Sequence, residues 1–260
     1  MKNPRWVGSR SGSELILGDI WSGALRSVLL FWREVFSRIN ETSSDIYLTD
    51  GGNLENLGLY ELLRRRCKVI IAIDAEADPN LEFPSLVTLQ RYARTDLGVV
   101  IDLPWEKIKL SSLAVNNAFS AAAQDPSKIV EKRQGPHCAV GKIVYSRDPA
   151  EDGLLFYFKS SLTGDENDVI YDYKRRYPDF PHETTIDQFF GEEQLEAYRA
   201  LGFHMVHEIL NPGRGDAPPP NFAIAAPPGK DDEARVEALR TLRNAMRGLS
   251  PAQPAGLLAD

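Results

Sequence analysis

The stretch YLTDGGNLENLGLYELLRRR, residues 47–66, places an acid directly before two glycines, between a short apolar segment and a helical pattern. Residues 45–49 predict a short strand. Residues 57–66 predict a helix with Asn53 or Asn56 available as its N-cap, and its three arginines lie near the negative end of the helix dipole. The stretch therefore predicts a strand, a glycine hinge and a helix in succession.

Strand and helix patterns continue to alternate after this stretch. Residues 68–73 are a run of mainly β-branched apolar residues, which predicts a strand buried on both faces. Pro84 favours the start of a helix that reaches about residue 95, and residues 99–103 predict the next strand. This order predicts an α/β fold with a mainly parallel sheet flanked by helices.

Two further elements follow the alternating region. Residues 137–146 and 153–160 are β-rich runs around the turn-rich sequence RDPAEDG, which predicts a β-hairpin extension. Thr185 and Gln188 have the spacing of a capping box. They precede a helix predicted for residues 192–210, which would be the last element of a partial α/β domain over residues 45–210.

The C-terminal region separates into a linker and a last helix. Residues 211–230 are rich in proline and glycine and predict a flexible linker. Residues 231–260 predict a terminal amphipathic helix and tail, with three acids at the favourable end of the dipole. The apolar face of this helix would consist of Val236, Leu239, Leu242 and Met246.

Residues 1–44 form an N-terminal segment with one amphipathic helix, predicted for residues 19–39. Its apolar stripe consists of Trp21, Leu25, Val28, Trp32, Val35 and Ile39. Such a stripe packs either on protein or in a membrane interface, and the two tryptophans with flanking arginines suit the second alternative as well.

Composition and charge exclude several classes of protein. The formal net charge of -7 and the pI of about 5.3 argue against an electrostatic nucleic-acid partner. The two cysteines show no zinc or disulfide spacing. The sequence shows neither a secretory signal pattern nor a bilayer-spanning apolar run. We therefore expect a cytoplasmic protein, with peripheral attachment to a membrane as an open alternative.

Taken alone, the sequence Asp50-Gly51-Gly52 has two interpretations. Asp-Gly is a common turn signal, because glycine tolerates the positive φ that tight turns need. The alternative interpretation follows from its context, since an acid between a strand and a helix would lie at the carboxyl end of the strand. Open α/β sheets place their ligand crevices there.

Several segments resemble the C-terminal half of bacterial patatin-like phospholipases. These are YLTDGGNLENLGLYELLRRRC, VIIAIDAEADP and YPDFPHETTIDQFFGEEQLEAYRALG, with NPRW near the start, so the resemblance spans residues 3–203 with gaps. Patatin-like proteins are lipid acyl hydrolases with a Ser-Asp dyad whose acid lies in an Asp-Gly-Gly or Asp-Gly-Ala motif. The resemblance implies that Asp50 is the dyad acid, that Gly51 and Gly52 shape its loop, and that no cofactor is needed.

The nucleophile of that family is missing from this sequence. It lies in a Gly-x-Ser-x-Gly motif, which occurs nowhere in the 260 residues, and the sequence GSRSG at residues 8–12 places Ser9 and Ser11 at the wrong positions. We therefore expect the C-terminal portion of an acyl hydrolase that is inactive alone. Expected partners are a lipid or acyl ester substrate, and an N-terminal patatin half or a membrane-associated protein. The alternative is a non-catalytic interaction module that retains the fold.

Three sets of polar residues outside the motif are further candidates for functional sites. His204 and His207 form an HxxH pair, but the sequence offers no obvious third ligand, so a metal site is not predicted and the two side chains are expected to be solvated. Asp74, Glu76 and Asp78 follow a predicted strand and are interpreted as a solvated loop, with Mg²⁺ as the alternative. His182 is expected to fix its loop by hydrogen bonding, without a catalytic role.

Overall fold

The structure is a computed structural model. It describes residues 27–33, 35–36, 52, 55–125, 127–128, 130–131, 133–184, 186, 189–210 and 221–248. The chain forms two compact units, residues 1–56 and residues 57–260. The boundary predicted between residues 44 and 45 lies outside the described residues and stays a prediction. The strand predicted for residues 45–49 lies outside the described residues.

The described part of the first unit is mainly a helix, α1 (residues 27–33). Of the predicted stripe, Val28, Trp32 and Val35 are each about half exposed, whereas Leu30 is buried. The buried side chain of α1 is thus Leu30, which is not part of the predicted stripe, and the described residues of the stripe are not buried. Trp21, Leu25 and Ile39 lie outside the described residues.

The second unit contains a mixed five-stranded sheet. Its strands are β1 (Val69–Asp74), β2 (Val100–Asp102), β3 (Cys138–Val144), β4 (Gly153–Lys159) and β5 (Ala223–Ile224). The order is β1-β4-β3-β2, and β5 pairs with β3. The pairs β1 with β4 and β3 with β5 are parallel, whereas β3 is antiparallel to both β2 and β4. The predicted α/β fold is confirmed, and its sheet combines parallel pairs with a hairpin.

Helices and one 3₁₀ turn connect these strands. They are α2 (Tyr60–Arg64), α3 (Pro84–Asp96), α4 (Glu106–Gln124), the turn Pro149–Glu151, α5 (Asp168–Arg176), α6 (Glu192–Leu210) and α7 (Asp231–Gly248). Helix α2 is shorter than predicted: its N-cap is Leu59 rather than Asn56, and its C-cap is Arg65. Among the described helices, none combines the length and the apolar character that crossing a bilayer requires.

The sheet carries an apolar cluster on each face. Alternate residues of β4 contribute to the two clusters: Leu155 and Tyr157 pack with residues of α2 and α3, and Phe156 and Phe158 pack with residues of α5, α6 and α7. This is the two-residue period of a strand buried on both faces. Each fully buried phenylalanine contributes about 1.5–3 kcal/mol relative to an exposed one.

The predicted hairpin is the centre of the sheet rather than an extension. Strands β3 and β4 pair from Cys138 and Phe158 to Ile143 and Gly153. On its other side β4 pairs in parallel with β1 over six residues, so β4 is an interior strand. The sequence GLLFYFK suits this position, since nearly every side chain is buried.

Part of the predicted linker belongs to the sheet. Within residues 211–230, Ala223 and Ile224 pair with Ala139 and Val140 of β3, and Phe222 is fully buried. The apolar sequence NFAIA supplies a strand despite the prolines around it. Residues 211–220 lie outside the described residues.

The terminal helix packs on the sheet and is not flexibly tethered. Leu239 and Leu242 of α7 are buried in the cluster that contains Phe156, whereas Val236 and Met246 of the predicted face are about half exposed. Helix α7 therefore belongs to the compact unit of residues 57–260.

Strand β1 is buried on one face only, in contrast to the prediction. Ile70 and Ala72 are buried, whereas Ile71 is 46% exposed and Ile73 is 67% exposed. Strand β1 is also the end of the sheet path, with β4 as its partner among the described residues. The described sheet therefore ends in a strand with an open apolar face.

Candidate functional site

The predicted catalytic motif lies almost entirely outside the described residues. Asp50 and Gly51 are not described, and Gly52 is exposed. The motif therefore remains a prediction from sequence. A group of described polar residues surrounds the carboxyl end of β1, and carboxyl ends of strands are where α/β sheets usually bind ligands.

This site begins with a pair of residues in register. Asp74 at the end of β1 is the partner of Lys159 at the end of β4, and their exposed fractions are 1% and 0%. Because the two strands are parallel, both side chains lie at the same edge of the sheet. The Lys159 ammonium donates to Oδ1 of Asp74 at 3.1 Å.

Two more carboxylates approach the same ammonium. Oδ2 of Asp78 lies 3.7 Å from Nζ of Lys159, and Oε1 of Glu76 lies at 4.0 Å. Asp74, Glu76, Asp78 and Lys159 are called the Lys159 cluster below. Three carboxylates share one ammonium, so the cluster carries a formal excess of negative charge inside the protein.

Tyr157 completes the contacts of Asp74. Its buried hydroxyl donates to Oδ2 of Asp74. Burial, followed by the charge of Asp74, raises the pKa of Tyr157 far above its usual value. The phenol therefore stays protonated and satisfies a carboxylate oxygen that Lys159 does not reach.

Asp78 organises the turn that leads into α3. Its carboxylate accepts from the backbone N–H groups of Glu82 at 2.9 Å and Phe83 at 2.8 Å. Leu81 and Phe83 have positive φ angles of 51° and 56°, which cost energy for side-chain residues. The two bonds to Asp78 hold this strained turn, so Asp78 has a structural task in addition to its charge.

Glu76 and His182 close the site. Ser85 at the start of α3 donates its hydroxyl to Glu76. Nδ1 of His182 accepts from the backbone N–H of Asp78 at 3.4 Å. Burial, followed by the charge of Lys159, lowers the pKa of His182 to about 4, so the ring is neutral at pH 7. A loop-fixing hydrogen bond was expected of His182, and this contact supplies one.

The structure corrects the interpretation of Asp74, Glu76 and Asp78. They do not form a solvated loop, since Asp74 and Asp78 are buried. The position considered for Mg²⁺ is filled by the ammonium of Lys159, which acts as the counter-ion. The sequence contained a signal for Lys159, because a lysine that ends an otherwise apolar strand must either turn outward or find buried acids.

The charged groups of the site stabilise one another. The ammonium of Lys159 donates to Asp74, and Tyr157 and His182 are neutral at pH 7. In comparisons with family models, with curated proteins and with solved structures, nothing was found to match this chain.

Proposed function

We propose that this chain is the C-terminal portion of a patatin-like lipid acyl hydrolase. The observation that carries the proposal is the sequence Asp50-Gly51-Gly52 between a predicted strand and the helix α2. In this proposal Asp50 is the general base of a Ser-Asp dyad, and Gly51 and Gly52 let its backbone approach the reacting groups.

The reaction requires parts that this chain does not carry. A serine hydroxyl loses its proton to Asp50 while it attacks the ester carbonyl, and backbone donors stabilise the resulting oxyanion. Collapse of the tetrahedral intermediate expels the alcohol and leaves an acyl-serine, which water then hydrolyses. Since no Gly-x-Ser-x-Gly motif occurs in the 260 residues, the serine must come from a complementary segment.

The exposed apolar face of β1 supports the proposal that a complementary segment binds this chain. Ile71 and Ile73 are 46% and 67% exposed, and β1 ends the described sheet. Unpaired strand edges with apolar faces are sites of further strand pairing. A patatin-like N-terminal half would supply such strands together with the serine.

Co-expression tests the proposal directly. A patatin-like N-terminal half that contains the serine elbow, expressed with this chain, should give hydrolysis of p-nitrophenyl esters, and Asp50→Asn should abolish it. The control is Asp148→Asn, because the carboxylate of Asp148 accepts from the backbone N–H of Ala150 at 2.9 Å, a role that the amide oxygen of asparagine also fills. Activity that survives Asp50→Asn would refute the proposed base.

A non-catalytic interaction module is the second candidate function, and one observation favours it. Six apolar residues of the first unit are more than half exposed: Val28, Leu29, Phe31, Trp32, Val35 and Phe36. Apolar groups exposed together are typical of contact surfaces for partners. In this alternative the chain binds a membrane-associated protein through α1. The compartment we propose for either function is the cytoplasm.

A further inference from the structure

A second, partly buried polar cluster lies where β3 begins. His137 directly precedes β3 and is 4% exposed, and His204 lies on α6. Asp165 lies in the loop between β4 and α5. Residues that are far apart in sequence thus converge on one point from three different elements.

Both imidazoles point at the same oxygen. Nε2 of His137 lies 3.1 Å from Oδ1 of Asp165, and Nε2 of His204 lies 3.0 Å from that same atom. The three ligand atoms lie within 4.8 Å of one another. The rings are nearly perpendicular, at 88°, so their nitrogens approach from two directions.

Nε2 of His137 is surrounded by three side-chain oxygens. Besides Asp165, Nε2 of His137 lies 2.9 Å from Oγ1 of Thr163 and 3.7 Å from Oε1 of Glu166. A neutral imidazole nitrogen carries at most one proton and donates one good hydrogen bond. A cation at this point would contact several of these atoms at once.

The charges around the point also favour a cation. Glu166 is fully buried and accepts from the backbone N–H groups of Thr163 at 2.5 Å and Gly164 at 3.0 Å. In the described part of the chain, no lysine or arginine forms an ion pair with Asp165 or Glu166.

We propose that His137, Asp165 and His204 bind a divalent transition-metal ion of the Zn²⁺ type. Two imidazoles and one carboxylate form a common ligand set for such ions, with a fourth position left for water. Ligand atoms around a tetrahedral zinc ion are about 3.3 Å apart, as follows from metal–ligand bonds of about 2.0–2.1 Å. The two nitrogen–oxygen separations of 3.0 and 3.1 Å differ from this value by only a few tenths of an ångström, and the two imidazole nitrogens lie within 4.8 Å of each other.

The site is reachable and ties three elements together. His204 lines a surface pocket of about 320 Å³, and the side chains of Asp165 and His204 are 14% and 17% exposed. An ion bound here would link the start of β3, the loop after β4 and α6. This proposal is independent of the proposed hydrolase activity.

His207 is a matched control on the same helix. It lies one turn after His204, but its ring stacks on Phe203 with centroids 4.8 Å apart. His207 is not among the three residues that converge. If the site is real, metal binding should therefore depend on His204 and not on His207, although the HxxH sequence makes the two histidines look equivalent.

The experiment titrates the chelator-treated full chain with Zn²⁺ by calorimetry and with Co²⁺ by visible absorption. We expect one ion per chain and the strong visible bands of tetrahedral Co²⁺. Saturation at about 100 times the Kd should raise the Tm by about 5–10 °C. His204→Ala and Asp165→Asn should each weaken Zn²⁺ binding at least about 100-fold, and His207→Ala should leave it unchanged.

Three results would overturn the proposal. The first is the absence of stoichiometric Co²⁺ bands in the unmodified chain, which requires no variant to fold. The second is a Zn²⁺ affinity in His204→Ala equal to that of the unmodified chain, and the third is an equal loss of affinity in His204→Ala and His207→Ala. Circular dichroism of each variant shows that the comparison is made between folded proteins.

Discussion

Replacing Lys159 by methionine should destabilise the second unit strongly. Methionine keeps most of the apolar stem and removes the ammonium. In the folded protein Lys159 is fully buried, and the ammonium donates to Asp74 at 3.1 Å while Asp78 lies at 3.7 Å. The substitution would leave two buried carboxylates without their counter-ion.

The magnitude follows from the burial of both sides. Removing one partner of a buried ion pair typically costs about 3–5 kcal/mol, because the remaining charge stays buried and uncompensated. For a unit of this size, 1 kcal/mol corresponds to a change of about 2–4 °C in Tm. We therefore expect Lys159→Met to lower the Tm by about 6–20 °C, and Asp74→Asn introduced into that variant to recover part of the loss.

Urea unfolding at pH 7, followed by circular dichroism, measures this effect. The control is Lys230→Met, since Lys230 forms an ion pair with Glu233 at 3.8 Å and the two side chains are 61% and 77% exposed. Exposed pairs contribute about 0–1 kcal/mol. If the free energy of unfolding of Lys159→Met lies within about 1 kcal/mol of that of Lys230→Met, the cluster is not held by its buried charge and the reasoning fails.

The remaining predictions concern His182, α1 and the isolated chain. Because the folded pKa of His182 is about 4, the unfolded chain takes up a proton between about pH 6.5 and pH 4 that the folded chain does not. The free energy of unfolding should therefore fall by up to about 3 kcal/mol as the pH falls through this window. His182→Gln should remove most of that change. A pH-dependent shift of the urea midpoint that is equal in His182→Gln and in the unmodified chain would contradict the prediction. We expect α1 to contact protein rather than lipid, so sedimentation with anionic vesicles should stay at background; binding lost in Trp32→Asp and kept in the control Leu110→Asp would place α1 in a membrane interface. The chain alone should not hydrolyse p-nitrophenyl esters, and turnover unaffected by Asp50→Ala would mean a different active site.

Local patterns were sufficient to predict most elements of the second unit. The β-branched run before Asp74, Pro84 at the start of α3 and the capping acids of α7 each act within a few residues, so the sequence around them contains the necessary information. The two β-rich runs around RDPAEDG likewise predicted the hairpin of β3 and β4.

The arrangement of these elements was not predictable in the same way. The exposure of Ile71 and Ile73 depends on which helices cover β1, and its own pattern carries no such information. Strand β5 is two residues long and lies in a proline-rich segment, so no periodicity identifies it. Its pairing with β3 is a tertiary contact that overrides local composition.

Only part of the candidate site could be predicted from the sequence, for a related reason. Asp74, Glu76 and Asp78 stood out because they are close in sequence, whereas Lys159 is 85 residues from Asp74 and becomes its partner only through the register of β1 and β4. His204 was noticed with His207, but its observed partner Asp165 is 39 residues away. Sequence spacing thus identified three of the four members of the Lys159 cluster, but in the other cluster it identified His204 alone.

The two clusters are physically joined at the end of β4. The backbone N–H of Lys159 donates to the carbonyl of His137 at 3.1 Å, and that of Ser160 donates to the carbonyl of Asp74 at 2.8 Å. The loop that carries Asp165 leaves the sheet directly after these bonds, so a shift of β4 would move a metal ligand as well as an ion pair. Residues in one network do not act additively. Lys159→Met would therefore disturb both clusters. His204→Ala on α6 removes a proposed metal ligand and leaves every group of the Lys159 cluster in place. His204→Ala is therefore the cleaner test of metal binding.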